Sequence, residues 1–199
     1  MCSFQGNITR IPFCGFSIKK GFYYDHYHSE YITKQASLGD NSGIPDVVDK
    51  IEKTLNFKVA ISVYLAKDEN NCFATVGQGG IRMLVTDVDF LQEVNDESGT
   101  KWGAISVIAH EVGHHIAGFN HHPNQPDNEL DADYWSGYTL QKLGASVNAS
   151  TKAIMRFGTE QDTETHPNKY SRASIIKKGW EDAANGTIDY SRCKDCKPE

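Results

Sequence analysis

The stretch from Trp102 to Ile116 constrains this chain more than any other. It is apolar enough to be buried, yet it carries His110, Glu111 and His114. Ile105, Ile108, Val112 and Ile116 recur at helical spacing, and the apolar stripe is broad enough for a buried helix. Histidines four apart lie about 40° apart around a helix axis and point the same way, while Glu111 is turned from His110 by about 100°. A glutamate buried beside two imidazoles needs a partner for its charge. One metal ion held by both imidazoles meets that need. A core helix with two satisfied histidines leaves the glutamate uncompensated and is the weaker reading.

The spacing is the His-Glu-x-x-His pattern of metalloprotease helices, in which the ion is zinc and the glutamate reaches a water beside it. Zinc then needs a third protein ligand and an open position for that water. One way to supply the ligand is to continue as His-x-x-Gly-x-x-His. Here Ala117 and Asn120 occupy the Gly and last His positions, and Gly118 and His121 each come one residue late, so that pattern fails. The other source is a second helix. Residues 127 to 143 read as one, with Asp127 or Asn128 as N-cap and Gly144 as the stop. Glu129 and Asp133 share a face of it. Glu129 is the expected third ligand, and Asp133, one turn on, is expected to hold a ligand histidine from behind. Asp127 and Asp131 are read as acidic residues favoured by the helix dipole.

His-Glu-x-x-His followed by Glu129-x-x-Ala132-Asp133 resembles the gluzincins of metallopeptidase family 48, the HtpX-like and CAAX-prenyl-protease-like zinc endopeptidases. Two further segments carry the resemblance. Asn71-Cys72-Phe73-Ala74 is similar to the family's Asn-Ala-x-Ala, with Cys72 in place of Ala. The resemblance implies that an edge strand follows it, here Ile81, Arg82, Met83, Leu84 and Val85, and pairs with the peptide substrate. His166-Pro167 with Arg172 six residues on is similar to the family's His-Pro-x-x-x-x-Arg element in a C-terminal helix. That likeness implies that His166 and Arg172 face the metal and stabilise the oxyanion. It covers roughly residues 45 to 180 and points to the soluble bacterial members, because no hydrophobic span is present. It implies an α+β, zincin-like domain with a small sheet, an active-site helix and a second helix bearing the glutamate ligand.

Composition frames this reading. With 199 residues, 39% of them hydrophobic, one domain can bury a proper core. A net charge of -6 gives no reason to expect a nucleic-acid partner. No run approaches the ~18 apolar residues of a membrane helix. Met1 is followed at once by Cys2 and Ser3, which does not read as a signal peptide. Cys2 does leave a lipid anchor open, and a periplasmic or lipid-anchored envelope location is favoured over a cytoplasmic one. The five cysteines are an odd number. Cys193-x-x-Cys196 lacks a second pair and reads as a terminal disulfide or a tail rather than a zinc ribbon, and Cys14 can pair with Cys2 or with that tail. His26 and His28 alternate as on a strand and read as surface or packing residues. His121 and His122, before Pro123, read as loop residues near the cleft.

Three segments follow. Residues 1–43 look like an irregular N-terminal extension, 44–185 like the catalytic domain and 186–199 like a tail. Within the domain the patterns predict a helix over 47–55 after Pro45, strands over 59–65 and 81–86, and a short helix over 90–94. After the two metal-binding helices come a short helix over 153–157 and a last helix over 167–181. The expected activity is that of a zinc endopeptidase with one Zn2+ per chain, held by His110, His114 and Glu129, acting on a peptide or protein with Glu111 as general base. A zinc hydrolase of some other amide or ester is the alternative. So is a zinc-binding scaffold with a degenerate site, although Glu111 would be superfluous there.

Overall fold

A computed structural model describes residues 32–56, 60–67, 70–118, 126–163 and 166–193. Cys2, Cys14, His26, His28, His121, His122 and Cys196 lie outside the described residues.

The chain is α+β, with six helices and a four-stranded mixed sheet among the described residues. The strands are β1 (Ile32–Ala36), β2 (Ile61–Ala66), β3 (Cys72–Val76) and β4 (Arg82–Asp87), in the order β1-β2-β4-β3. β1 falls in the stretch expected to be irregular. Thr33, Lys34 and Gln35 are exposed, so it has no apolar alternation to betray it, and a lysine suits an edge strand. It runs antiparallel to β2.

β4 is not the edge strand expected at Ile81 to Val85. It runs parallel to β2 on one side and antiparallel to β3 on the other, so its ladder groups are spent on both flanks. Leu84 and Val85 are both fully buried, as a central strand covered on two faces requires. The edge falls to β3, the strand that carries Ala74.

Helix α1 (Ile44–Thr54) follows Gly43, whose φ of 67° suits a residue without Cβ, and has Pro45 in its first turn. It buries Ile44, Val48 and Ile51. Helix α2 (Val88–Ser98) is longer than the 90–94 expected, because the Asp87 carboxylate caps it by accepting the Asp89 N–H. Helix α3 (Trp102–Ala117) is buried over most of its circumference. Helix α4 (Pro126–Lys142) starts ahead of the expected Asp127 or Asn128 cap, with a proline in its first turn. Helix α5 (Val147–Phe157) begins well ahead of the expected 153, since the Ser146 hydroxyl caps it at Ala149. Helix α6 (Lys169–Asn185) is capped by Asn168, whose side chain accepts the N–H groups of Tyr170 and Ser171.

α4 lies between α3 and α6 and packs extensively on both. Glycines set the spacing. A Cβ at Gly137 on α4 would stand 1.9 Å from the Ile176 carbonyl oxygen of α6. One at Gly179 on α6 would stand 2.0 Å from the Tyr134 oxygen of α4, so these backbones touch. On the other side, a Cβ at Gly113 would stand 2.7 Å from the Ala132 oxygen, which brings α3 and α4 together at the level of His110 and His114. The end of the chain leans on α4 as well. The Trp135 indole N–H donates to the Arg192 carbonyl, and the Arg192 guanidinium meets Asp131. Cys193 is disulfide-bonded to a partner outside the described residues, while Cys72 is a free, buried thiol.

Candidate metal centre

Three helices, one strand and one loop converge on a buried polar cluster. α3 supplies His110, Glu111 and His114, α4 supplies Glu129 and Asp133, α6 supplies Arg172, and the residues just before α6 supply His166. None is more than 5% exposed. Burying so many polar side chains is tolerable only if they answer one another or an ion.

The distances favour an ion. His110 Nε2 and His114 Nε2 are 3.1 Å apart. Glu129 places Oε2 at 3.5 Å from His110 Nε2 and Oε1 at 3.6 Å from His114 Nε2. A tetrahedral ion with bonds of about 2.1 Å separates its ligand atoms by about 3.4 Å. Glu129 Oε2 and Glu111 Oε1 are both buried without a hydrogen-bond partner among the described residues. The Arg172 guanidinium lies 3.5 Å from Glu129 Oε2, but an oxygen left like Glu111 Oε1 is costly unless a cation answers it. His110, Glu111 and His114 offer ligand atoms that all lie within 4.8 Å of one another, so this buried group can hold a metal ion.

The groups behind the cluster fix its orientation. His110 Nδ1 lies 2.9 Å from Asp133 Oδ1, which assigns the proton to Nδ1 and turns the Nε2 lone pair inward. Glu111 Oε2 accepts the Ala74 N–H at 2.8 Å, so the edge strand holds one oxygen of the carboxylate and leaves the other towards the site. His166 Nε2 is 3.3 Å from Glu129 Oε2. Its backbone is tied to Thr163, whose hydroxyl accepts the His166 N–H at 2.9 Å and whose own N–H donates to the His166 carbonyl at 2.8 Å. Asp162 binds the N–H and side-chain amide of Asn168, the α6 cap, so the loop and the helix start form one unit.

Burial and charge pull these groups apart in acidity. Burial pushes the Glu111 carboxyl up to about 8. Burial opposes the charged form of His110 too, but the Asp133 carboxylate and Glu129 outweigh it and raise the imidazole to about 9, so an ion bound at Nε2 must displace a proton there. His166 is lowered to about 4, chiefly by burial. Burial works against the Asp133 carboxylate, and Arg172 and His110 overcome it and hold Asp133 below the usual carboxylate range.

Compared with protein-family models, curated proteins and solved structures, the chain matches none. Its own geometry therefore carries the argument. His110, Glu111, His114, Glu129, Asp133, His166, Arg172 and Ala74 come together. Asn71 sits at the start of β3, where its side-chain oxygen accepts the Cys72 N–H. The expected substrate edge does not come to the site. Ile81 is half exposed, Arg82 donates to the His115 carbonyl, the Met83 carbonyl meets His115 Nε2, and Leu84 is in the core. Val85 lies in a second apolar cluster with Tyr64 and Phe73. Sequence reasoning missed the Ala74 link to Glu111 and the Thr163 tether. The link pairs residues 37 positions apart and leaves no local signal. The Asn168 cap was open to reading, as an Asn directly before a periodic run.

Proposed function

We propose that this protein is a zincin-like zinc endopeptidase that hydrolyses peptide bonds with Glu111 as general base. The observation that carries the reading is the meeting of His110 Nε2, His114 Nε2 and the Glu129 carboxylate within 3.1 to 3.6 Å, beside an unpartnered Glu111 oxygen. Two imidazoles and one carboxylate are a donor set suited to zinc. The resemblance to metallopeptidase family 48 in His-Glu-x-x-His and Glu129-x-x-Ala132-Asp133 supports the same ion. When bound, such an ion supplies Lewis acidity, making water acidic near neutral pH and polarising a carbonyl.

The protein's own groups do the rest. Asp133 keeps the His110 lone pair on target. Glu111, pinned at Oε2 by Ala74, takes a proton from water at Oε1 and returns it to the leaving amine. An extended peptide adds to β3. The Ala74 N–H points away from β4, and strand alternation puts the N–H and carbonyl of the half-buried Val76 on that same side, whereas Cys72 and Ala74 are buried. His166, just before α6 and 3.3 Å from Glu129, is the donor that stabilises the developing oxyanion.

Purified protein is expected to carry about one equivalent of zinc and to cleave a peptide library. A chelator should abolish cleavage and added zinc restore it. Less than a tenth of an equivalent, with no uptake, overturns the metal; zinc-loaded protein that cleaves no peptide overturns the peptidase. Metal removal should also show in melting. An ion present at about 100 times its dissociation constant contributes about 2.7 kcal/mol. In a chain of this size that is a Tm shift of roughly 5–10 °C. A Tm unchanged by chelator argues against a bound ion. For His166→Phe the expected result is a kcat lower by about 10²-fold with KM and zinc content nearly unchanged. A raised KM at constant kcat would assign His166 to substrate binding instead.

A further inference from the structure

We propose that Arg172 is a positioning residue that acts on the metal site through Asp133, and does not itself meet the substrate. This rests on the zinc reading above. The Arg172 Nε donates to Asp133 Oδ2 at 2.7 Å and Nη2 to Oδ1 at 2.9 Å, a two-pronged grip on one carboxylate. The same Oδ1 is 2.9 Å from His110 Nδ1. A continuous chain of polar contacts thus runs from α6 through α4 to α3 and ends on the imidazole that faces the ion.

The guanidinium packs among the ligand side chains. Nη2 is 3.4 Å from both ring nitrogens of His110, so it lies against the ring and not on either in-plane lone pair. It is also 3.5 Å from Glu129 Oε2. An arginine facing a substrate carbonyl would keep its fork pointed into open space, whereas this one has spent two donors on Asp133. The backbone beneath it is fixed too. Arg172 donates its N–H to the carbonyl of Asn168, the residue that caps α6.

Asp133 needs such a partner. A buried carboxylate with one oxygen on His110 can swing about its last torsion, and the imidazole swings with it. Two parallel N–H bonds remove that freedom, and the guanidinium charge answers the carboxylate at the same time. A lysine supplies the charge but not the fork. Arg172→Lys therefore separates orientation from charge.

The test measures zinc affinity by competition with a chromophoric chelator, and the visible spectrum of the cobalt-substituted protein, on the full chain. Arg172→Lys is expected to weaken zinc by about tenfold or more and to alter the cobalt bands, as outer partners of metal-bound histidines do. Asp133→Asn should do the same. The double variant should be no weaker than Asp133→Asn alone, because both act along one chain. Losses that multiply in the double variant overturn the proposal. So does Arg172→Lys with wild-type affinity and spectrum but depressed turnover, which would return Arg172 to the substrate. A wild-type protein that binds no zinc overturns the metal reading and this inference together. If Arg172→Lys does not fold, the wild type supplies a second measurement. The Arg172 Nε–H proton resonance should shift on zinc titration and stay put when a peptide hydroxamate binds. A resonance that moves with the hydroxamate and not with zinc overturns the proposal.

Discussion

On the proposed reading, Glu111→Gln is expected to leave the fold and the zinc content in place and to lower peptide hydrolysis by about 10³-fold or more. The substitution is nearly isosteric. The amide oxygen can still accept the Ala74 N–H, so the bond between α3 and the sheet edge survives. What disappears is the unpartnered oxygen that receives a proton. Stability is expected to hold or rise, because a buried carboxyl whose charged form is disfavoured by burial has been made neutral. The checks are zinc content, Tm and the cleavage rate of one good substrate. Near-native cleavage by Glu111→Gln would remove Glu111 from the mechanism and leave the metal reading intact. Loss of zinc along with activity would show that Glu111 supports the ion.

The second large effect lies outside the cluster. Gly179→Ala is expected to lower stability by about 3 kcal/mol, at the upper end of what overpacking costs, which is a fall in Tm of roughly 6–12 °C. Helix propensity runs the other way, since alanine favours an isolated helix by about 1 kcal/mol over glycine. The propensity loses because the new methyl would stand 2.0 Å from the Tyr134 carbonyl oxygen, and backbone cannot rotate aside. α6 has to move off α4. Arg172 moves with it, because it lies on the same buried stripe as Ile176 and Gly179. Zinc affinity should therefore fall together with Tm. Ser174→Ala, exposed on the same helix, is the control and should change neither by more than about 0.5 kcal/mol. A Gly179→Ala protein that melts at or above the wild-type temperature would show that the two helices are not in backbone contact.

The parts legible in the sequence were those written in local periodicity. Ile105, Ile108, Val112 and Ile116 mark α3 without reference to anything else, and Glu129 with Asp133 mark one face of α4. The sheet was harder. Nothing near Ile81 says that β4 will be flanked on both sides, although the unbroken apolar run Met83-Leu84-Val85 is what a central strand shows and an edge strand avoids. β1 was hidden because Thr33, Lys34 and Gln35 face water. Gly137 and Gly179 read as two weak spots in helices. Their use depends on each other's helix, 42 residues away, and no window along the chain contains both. The partners of Arg172 were unreadable for a similar reason: the six-residue step from His166 says which residues are present, but only the docking of α6 on α4 says that the fork closes on Asp133.

That docking has a consequence for the chain's own safety. The groups gathered at the cluster range from Ala74 to Arg172 and come from an edge strand, three helices and a loop, so the set is complete only when all of these have docked. On the proposed reading, a nascent or partly unfolded chain, rich in the extended segments a peptidase prefers, lacks the assembled centre that could cut it. Hydrolytic capacity is then a property of the assembled native state.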